Sequence, residues 1–235
     1  QLQGDCWDAV MNYAGFTHPV WYWLNFFFVR QHAEPYFVAS DQPWPTQALV
    51  GTWQAYRASV PWVIAQQQFN LLGSHDTARL INVVDGDLAR LRLAVALLMT
   101  YPGVPSIYYG DEIGLSGDPR QCMNWDRSTW DHDLRAYYQT LIHLRRSSAA
   151  LIEGGFQILS VGDNSIAYLR DSEHETLIVV ANRQPLAAGA LPIAHGAIAD
   201  GTEFFEVLSG AHATVSNGHL PLPAQSVGAT IWRTK

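Results

Sequence analysis

Short apolar runs alternate with helical spacings along the first part of the chain. A short apolar run bounded by turn signals is typical of a buried strand, whereas apolar positions three and four apart are typical of a helix. The predicted strands span residues 8–12, 67–72 and 104–109. The predicted helices span residues 46–59, 88–99 and 133–146. Because each predicted strand leads into a helix, the pattern indicates parallel strands joined by helical crossovers.

Capping residues support two helix starts. Thr17 is predicted to cap an aromatic helix with Pro19 in its first turn, since a side-chain oxygen satisfies free amides and proline fits the first turn. Asp87 is predicted to cap the helix that begins at residue 88. Residues 101–103, the sequence Tyr-Pro-Gly, are predicted to end that helix.

After residue 155 the pattern changes to short strands separated by Gly, Asn and Asp turns. The predicted strands are the segments FQILSV, SIAYLR, TLIVVAN, EFFEVL and ATIW. This arrangement is typical of an antiparallel β-domain. The predicted fold class is therefore α/β followed by all-β, with one domain at residues 1–152 and a β-sandwich domain at residues 153–235.

Three strand–helix units make an incomplete α/β layer, because three parallel strands leave sheet edges and faces uncovered. The chain also opens on Gln1, in the middle of an apolar pattern and with no signal peptide in view. We therefore expect it to belong to a longer polypeptide, whose missing N-terminal part would be a partner of the fold.

Composition narrows the function classes. Of 235 residues, 48% are hydrophobic and 15% charged, and the formal net charge is −7. Because there is no basic run, these values argue against nucleic-acid binding and against anionic membrane surfaces. Residues 20–29 are the most apolar stretch, too short for the roughly 20 residues that span a bilayer, and are predicted to be a buried helix. Cys6 and Cys122 lack zinc or disulfide spacing and are interpreted as packing residues in a cytoplasmic protein.

A histidine and a carboxylate follow the second predicted strand, in the segment NLLGSHDT at residues 70–77. Barrel enzymes build their active sites at the carboxyl ends of parallel strands, and Gly73 allows a sharp turn at that point. We predict that His75 and Asp76 point together at a ligand and offer a donor and an acceptor to neighbouring sugar hydroxyls. The alternative is that Asp76 caps the next helix while His75 fills a polar gap.

Ordered motifs over most of the chain resemble the α-amylase family of glycoside hydrolases. NLLGSHDT and GVPSIYYGDEIGL, at residues 70–77 and 103–115, resemble the seventh and eighth strand regions of its (β/α)8 barrels. DAVMNY at residues 8–13 resembles the sixth strand of the cyclomaltodextrinase, neopullulanase and maltodextrin-glucosidase branch, and GDPRQCMNWD at residues 117–126 resembles the loop after the eighth strand. The resemblance implies strands six to eight of a TIM barrel followed by an antiparallel β-sandwich.

The resemblance also implies an activity, retaining hydrolysis of α-1,4 and in some members α-1,6 bonds of maltodextrins or cyclodextrins. In that scheme Asp76 stabilises the transition state by gripping the sugar hydroxyls at C2 and C3, and His75 assists it. Retaining glycosidases also need a nucleophile and an acid/base carboxylate about 5 Å apart. The family places these in Arg-x-Asp and Gly-Glu settings, and neither occurs in this sequence. The isolated chain is therefore expected to be inactive.

Residues predicted to contact substrate are Asn70, Arg79, Tyr109, Asp118, Arg120 and Trp125. Arg79 either neutralises a carboxylate near the pocket or pairs on a helix surface. Asp118 and Arg120 either reach sugars beyond the cleavage point or form a loop ion pair. Trp125 and Trp130 are candidates for stacking on a sugar ring, since aromatic faces pack on pyranoses.

Further alternatives stay open. The adjacent acids Asp111 and Glu112 form a potential acid/base pair, but the resemblance implies that they support the end of the eighth strand. A non-catalytic homologue that binds carbohydrate or acts as a scaffold is the alternative to an enzyme. Residues 156–235 are also considered as a carbohydrate-binding module, although no ordered row of exposed aromatics is evident. No cofactor or metal site is predicted, and the branch resemblance allows a homodimer of the longer polypeptide.

Overall fold

The computed structural model describes residues 8–24 and 42–234. Cys6 and the part of the predicted aromatic helix beyond Leu24 lie outside the described residues. The α-helices are α1 (His18–Leu24), α2 (Thr46–Ala58), α3 (Trp62–Ala65), α4 (Leu80–Val83), α5 (Leu88–Thr100), α6 (His132–Ser147) and α7 (Ala149–Ile152). The predictions for α2, α5 and α6 are confirmed to within one residue at each end. None of the described helices has the length and apolar character needed to cross a membrane.

A π-helical turn at Tyr13–Thr17 leads directly into α1. Its cap is Asn12, whose side-chain oxygen accepts a hydrogen bond from the Gly15 amide at 3.0 Å. The prediction that Thr17 caps this helix was wrong. Thr17 is buried, and its hydroxyl donates to the carbonyl of Leu71 at 2.7 Å, so it joins the helix to the adjacent strand instead.

The first part of the chain has parallel strands, as predicted. Strands β1 (Phe69–Leu71) and β2 (Val104–Ser106) pair in parallel, with Phe69 opposite Val104. The predicted strand at residues 8–12 is reduced to one parallel bridge, between Met11 and Phe69. All three segments therefore run in one direction, and their carboxyl ends meet at one edge of the sheet.

Helix α5 is capped by Asp87 and is largely buried. The Asp87 side chain accepts hydrogen bonds from the amides of Ala89 and Arg90 at 3.0 and 3.1 Å, which confirms the predicted cap. Nine residues of α5 are buried. A helix that is apolar on most sides is typical of an interior position, and α5 accordingly contacts β5, β10 and α6.

The remaining strands form the predicted antiparallel β-domain. They are β3 (Gly155–Val161), β4 (Ser165–Asp171), β5 (Thr176–Asn182), β6 (Gly189–Pro192), β7 (Glu203–Glu206), β8 (His212–Thr214), β9 (His219–Leu222) and β10 (Gly228–Thr234). One sheet has the order β3-β4-β5-β10-β7-β8, and β6 pairs with β9 in a second. Strands β6, β8 and β9 were not predicted from the sequence.

One hydrophobic cluster extends from the helices into the β-domain. Trp53 of α2 lies 4.5 Å from Tyr101 between ring centroids, and both belong to the cluster that contains Tyr168 of β4. The hydroxyl of Tyr168 also hydrogen-bonds the hydroxyl of Thr100. The division at residues 152 and 153 marks the change from helices to strands, and its status as a domain boundary stays a prediction.

Candidate functional site: the turn after β1

The segment that contains His75 and Asp76 forms a turn directly after β1, at the carboxyl end of the strand. Gly73 lies at the start of this turn, and a Cβ added to it would come 3.1 Å from Oδ2 of Asp111. The glycine therefore allows the backbone to pass close over a buried carboxyl group.

Three hydroxyl groups fix the conformation of the turn. The Ser74 amide donates to Oγ1 of Thr77 at 2.8 Å, and the Asp76 amide donates to Oγ of Ser74 at 3.1 Å. Oγ of Ser74 also lies 2.8 Å from the hydroxyl of Tyr13. Sequence reasoning missed Tyr13, Ser74 and Thr77 as site residues. Serine and threonine close to a turn were the available signal, but the contact with Tyr13 needs the fold.

The Asp76 carboxylate is exposed to solvent and lies beside two basic side chains, those of His75 and Arg120. Nε2 of His75 is 3.3 Å from Oδ2, and Nη2 of Arg120 is 3.0 Å from Oδ1. The side chains of His75, Asp76 and Arg120 are 59%, 60% and 65% exposed. His75 and Asp76 meet because they lie in a turn, where adjacent side chains can approach one another.

The capping alternative for Asp76 is not supported. Helix α4 begins at Leu80, its N-cap position is Arg79, and no side chain makes a capping hydrogen bond there. The Asp76 carboxylate contacts Arg120 and His75 instead.

Arg79 and Asp111 form an ion pair in the interior, beneath the turn. The Arg79 side chain has 0% exposure, and its Nη1 lies 3.6 Å from Oδ1 of Asp111. Burial raises the pKa of Asp111 to about 7, against the lowering effect of the nearby Arg79 guanidinium. Of the two roles considered for Arg79, neutralisation of a carboxylate is the one observed. Next to the pair, Oε2 of Glu112 accepts a hydrogen bond from the Gly110 amide at 2.8 Å, a structural contact.

Asn70 is also completely buried. Its Nδ2 donates to the carbonyl of Pro102 at 2.9 Å, and its Oδ1 accepts from Nδ2 of Asn12 at 2.8 Å. Asn70 and Arg79 were expected to contact substrate, but neither side chain reaches solvent. Each instead donates hydrogen bonds to backbone carbonyls beneath the site.

The loop after β2 brings Arg120 to Asp76. Oδ1 of Asp118 accepts a hydrogen bond from the Arg120 amide at 2.7 Å, whereas the Arg120 guanidinium pairs with Asp76. The Tyr109 hydroxyl donates to the carbonyl of Gln121 and lies 3.2 Å from that of Pro119. The predicted residues Asp76, Tyr109, Asp118 and Arg120 thus lie in connected segments around one exposed turn.

The same loop carries the predicted aromatic candidates. Trp125 is 77% exposed, so its ring is accessible for stacking on a sugar. Trp130 is partly buried, and its Nε1 donates to the carbonyl of Asn124 at 2.9 Å. Cys122 is exposed, so its interpretation as a packing residue was wrong. In the part of the chain that the structure describes, no group of three or more His, Cys, Asp or Glu residues is arranged to hold a metal.

Comparisons with known proteins agree on one family. Residues 6–145 match the family model of the α-amylase catalytic domain. The chain is 45% identical over 189 residues to a cyclomaltodextrinase from Bacillus sp, an alignment that covers 77% of this chain and 31% of that protein. A solved cyclomaltodextrinase structure has a TM-score of 0.79 at 36% identity, over 100% of this chain and 38% of its own. A debranching enzyme from Nostoc punctiforme has a TM-score of 0.77 at 30% identity, over 98% and 47%.

The chain belongs to the α-amylase family of glycoside hydrolases, because the family model matches more than half of it. The branch indicated by the sequence motifs is confirmed by relatives named cyclomaltodextrinase, maltogenic α-amylase and neopullulanase. The chain spans about a third of the length of these relatives and less than half of the two solved structures.

Proposed function

We propose that this chain forms the sugar-binding side of the active site of a retaining α-glucan hydrolase, with Asp76 as the residue that stabilises the transition state. The observation that carries the proposal is the exposed Asp76 carboxylate at the carboxyl end of β1, with His75 and Arg120 within 3.3 Å. The names of the relatives support maltodextrins or cyclodextrins as the substrate class.

The turn suits the chemistry of glycosidases. Their transition state resembles an oxocarbenium ion, and contacts to the sugar hydroxyls that strengthen there contribute several kcal/mol. A fixed carboxylate can accept hydrogen bonds from two neighbouring ring hydroxyls and also stabilises the positive charge that develops on the ring. Asp76 would do both without forming a covalent bond, and His75 would donate to the same hydroxyls.

The two other carboxylate roles are proposed to come from outside this chain. Its sequence contains neither the Arg-x-Asp nor the Gly-Glu setting that the family resemblance calls for. The Met11 bridge, β1 and β2 are proposed to correspond to strands six, seven and eight of a TIM barrel. Their shared parallel direction and the greater length of the relatives support this correspondence.

Further parts of the proposal concern the longer polypeptide. Trp125 is proposed as a platform for a sugar ring, and residues 153–235 as a sandwich that stabilises the barrel rather than as a separate binding module. A cytoplasmic location is supported by a relative from Bacillus subtilis, named intracellular maltogenic amylase and 30% identical over 189 residues. A homodimer rests on the branch resemblance alone.

Replacement of Asp76 tests the proposed role. In the polypeptide encoded by the complete reading frame, Asp76→Asn should lower kcat/KM for maltoheptaose by about 10²–10³-fold, the usual loss when one preorganised charge-stabilising group is removed. Most of the change should lie in kcat, because the contact strengthens in the transition state. Initial rates of reducing-sugar release measure both constants.

The matched control is Asp133→Asn, which removes an exposed carboxylate in the first turn of α6. It should leave both constants within about twofold. Equal activity of Asp76→Asn and the control would reject Asp76 as the stabilising residue.

A further inference from the structure

Arg79 makes an unusual set of contacts for a completely buried side chain. Its guanidinium carbon lies 4.7 and 4.5 Å from the ring centroids of Tyr108 and Tyr109, within the range of cation–π interactions. Nη1 donates to the carbonyl of Tyr109, and Nη2 donates to the carbonyl of Pro119 at 3.2 Å. Together with the Asp111 ion pair, these contacts join the turn after β1, the end of β2 and the loop that follows.

Pro119 is the point where these contacts converge. Its carbonyl accepts hydrogen bonds from Arg79 Nη2 at 3.2 Å and from the Tyr108 hydroxyl at 2.7 Å, which matches the two lone pairs of a carbonyl oxygen. The Tyr109 hydroxyl also lies 3.2 Å away, but it shares its single proton with the carbonyl of Gln121. The next residue is Arg120, whose side chain reaches Asp76.

Gly110 provides the space for this arrangement. It has a φ of +88°, and an added Cβ would lie 2.6 Å from a Leu115 methyl carbon and 3.3 Å from Nη1 of Arg79. The backbone at Gly110 therefore passes close to the guanidinium, where a side chain would be crowded.

We propose that Arg79 is a positioning residue for the sugar-facing loop: its buried planar guanidinium fixes Pro119 and thereby sets the place of Arg120 beside Asp76. This inference rests on the proposed function, because the loop is treated as part of a maltodextrin site. Arg79 is completely buried and does not contact the sugar. It acts through Arg120, and a lysine cannot replace it, because a single ammonium lacks the planar fork that reaches Tyr109, Pro119 and Asp111 together.

Trypsin cleavage after Arg120 tests the loop without reference to activity. Arg79→Lys should raise the rate of cleavage between Arg120 and Gln121 at least tenfold, which corresponds to about 1.4 kcal/mol of local opening. Peptide mapping by mass spectrometry follows this bond. If Arg79→Lys is poorly folded, Tyr108→Phe removes one donor to Pro119 while it keeps the ring, and it should raise cleavage in the same direction.

The matched control is Arg145→Lys. Arg145 is also buried, and it donates to the carbonyls of Met99 and Tyr101, at 3.2 and 3.1 Å, and to Gly103, at the opposite end of β2. The control should leave cleavage after Arg120 unchanged. Equal rates for Arg79→Lys and Arg145→Lys would overturn the inference.

A double-mutant cycle connects the loop to the sugar site. In the complete protein, Arg79→Lys should raise KM for maltoheptaose about fivefold, and this effect should disappear in an Arg120→Ala background, because Arg79 acts through Arg120. Additive effects would overturn the inference while leaving the role of Asp76 intact. Full activity of Asp76→Asn would reject the proposed function, whereas the cleavage result would still decide the role of Arg79.

Discussion

Asp76 lies on an exposed turn whose conformation is fixed by its neighbours. Ser74 and Thr77 close the turn from within, and Tyr13 holds it from the π-helical segment. A carboxylate held in place before the reaction stabilises developing charge more effectively than a mobile one, because it needs no reorganisation. Residues that never contact the sugar therefore matter to the proposed site.

Asp111, beneath this turn, gives a pH-dependent prediction. Burial raises its pKa to about 7, whereas an unfolded aspartate titrates near pH 4. Between those values the folded protein binds the extra proton, so the contribution of this group to stability falls as the pH rises through the window. We expect the free energy of unfolding of the wild type to fall relative to that of Asp111→Asn between about pH 5 and pH 8.

Urea unfolding followed by tryptophan fluorescence at the two pH values measures this difference. Asp111→Asn also leaves the buried Arg79 charge without its partner, so the variant is expected to be less stable overall. The change of the difference with pH, and not its size, is therefore the test. A constant difference, or one that grows in favour of the wild type, would contradict a raised pKa.

The sequence alone was enough to identify His75 and Asp76 as site residues, but it did not show which side chains they contact. His75 and Asp76 were found because they directly follow a predicted strand. The contact between Asp76 and Arg120 joins residues 44 positions apart, and it depends on the conformation of an irregular loop that no periodic pattern describes. Burial of Asn70 and Arg79 was also missed, since polar residues in a motif do not reveal whether they face solvent or backbone.

Among the elements, α5 is a largely buried helix that packs against β5, β10 and α6 and precedes β2 in the chain. Its start is set by Asp87, whose carboxylate accepts two backbone hydrogen bonds and also pairs with Arg90 at 3.4 Å. Its end is set by residues 101–103, where the chain turns into β2. Correct placement of α5 therefore positions the strand that leads to the candidate loop.

Asp87→Ala should destabilise the protein by about 1 kcal/mol, the usual cost of losing an N-cap side chain. The loss arises because two amides at the start of α5 lose their acceptor. Urea denaturation measures it, with Glu173→Ala, an exposed acid in the turn after β4, as the comparison. A loss no larger than that of the comparison would show that the cap adds nothing to stability.

Elements with strong local signals were predictable. The Asp87 cap and the apolar spacing of α2, α5 and α6 each gave boundaries within one residue. Strands β6 and β9 were missed because each contains a proline, Pro192 and Pro221, which argues against a strand in a sequence pattern. Strand β8 was missed because Ala213 is its one apolar residue. The π-helical turn was missed because the cap was placed at Thr17, whereas Asn12 provides it.

At the scale of the whole molecule, the helical part and the β-domain share one core. Trp53, Tyr101 and Tyr168 lie in the same buried cluster, which also includes Leu177 and Ile231 of the sheet. The sequence indicated the change from helices to strands, but it did not show this shared packing, because such contacts depend on how distant segments meet. The β-domain therefore packs directly against α5, through β5 and β10.

We propose that this chain supplies one side of an active site and that the nucleophile and the acid/base come from elsewhere in a longer enzyme. The most direct test is the hydrolysis of maltoheptaose and β-cyclodextrin by the polypeptide of the complete reading frame and by residues 1–235 alone, at equal concentrations. We predict turnover by the complete polypeptide and none above the buffer rate by the chain alone. Comparable turnover by residues 1–235 would contradict the account, because all the catalytic carboxylates would then lie within this sequence.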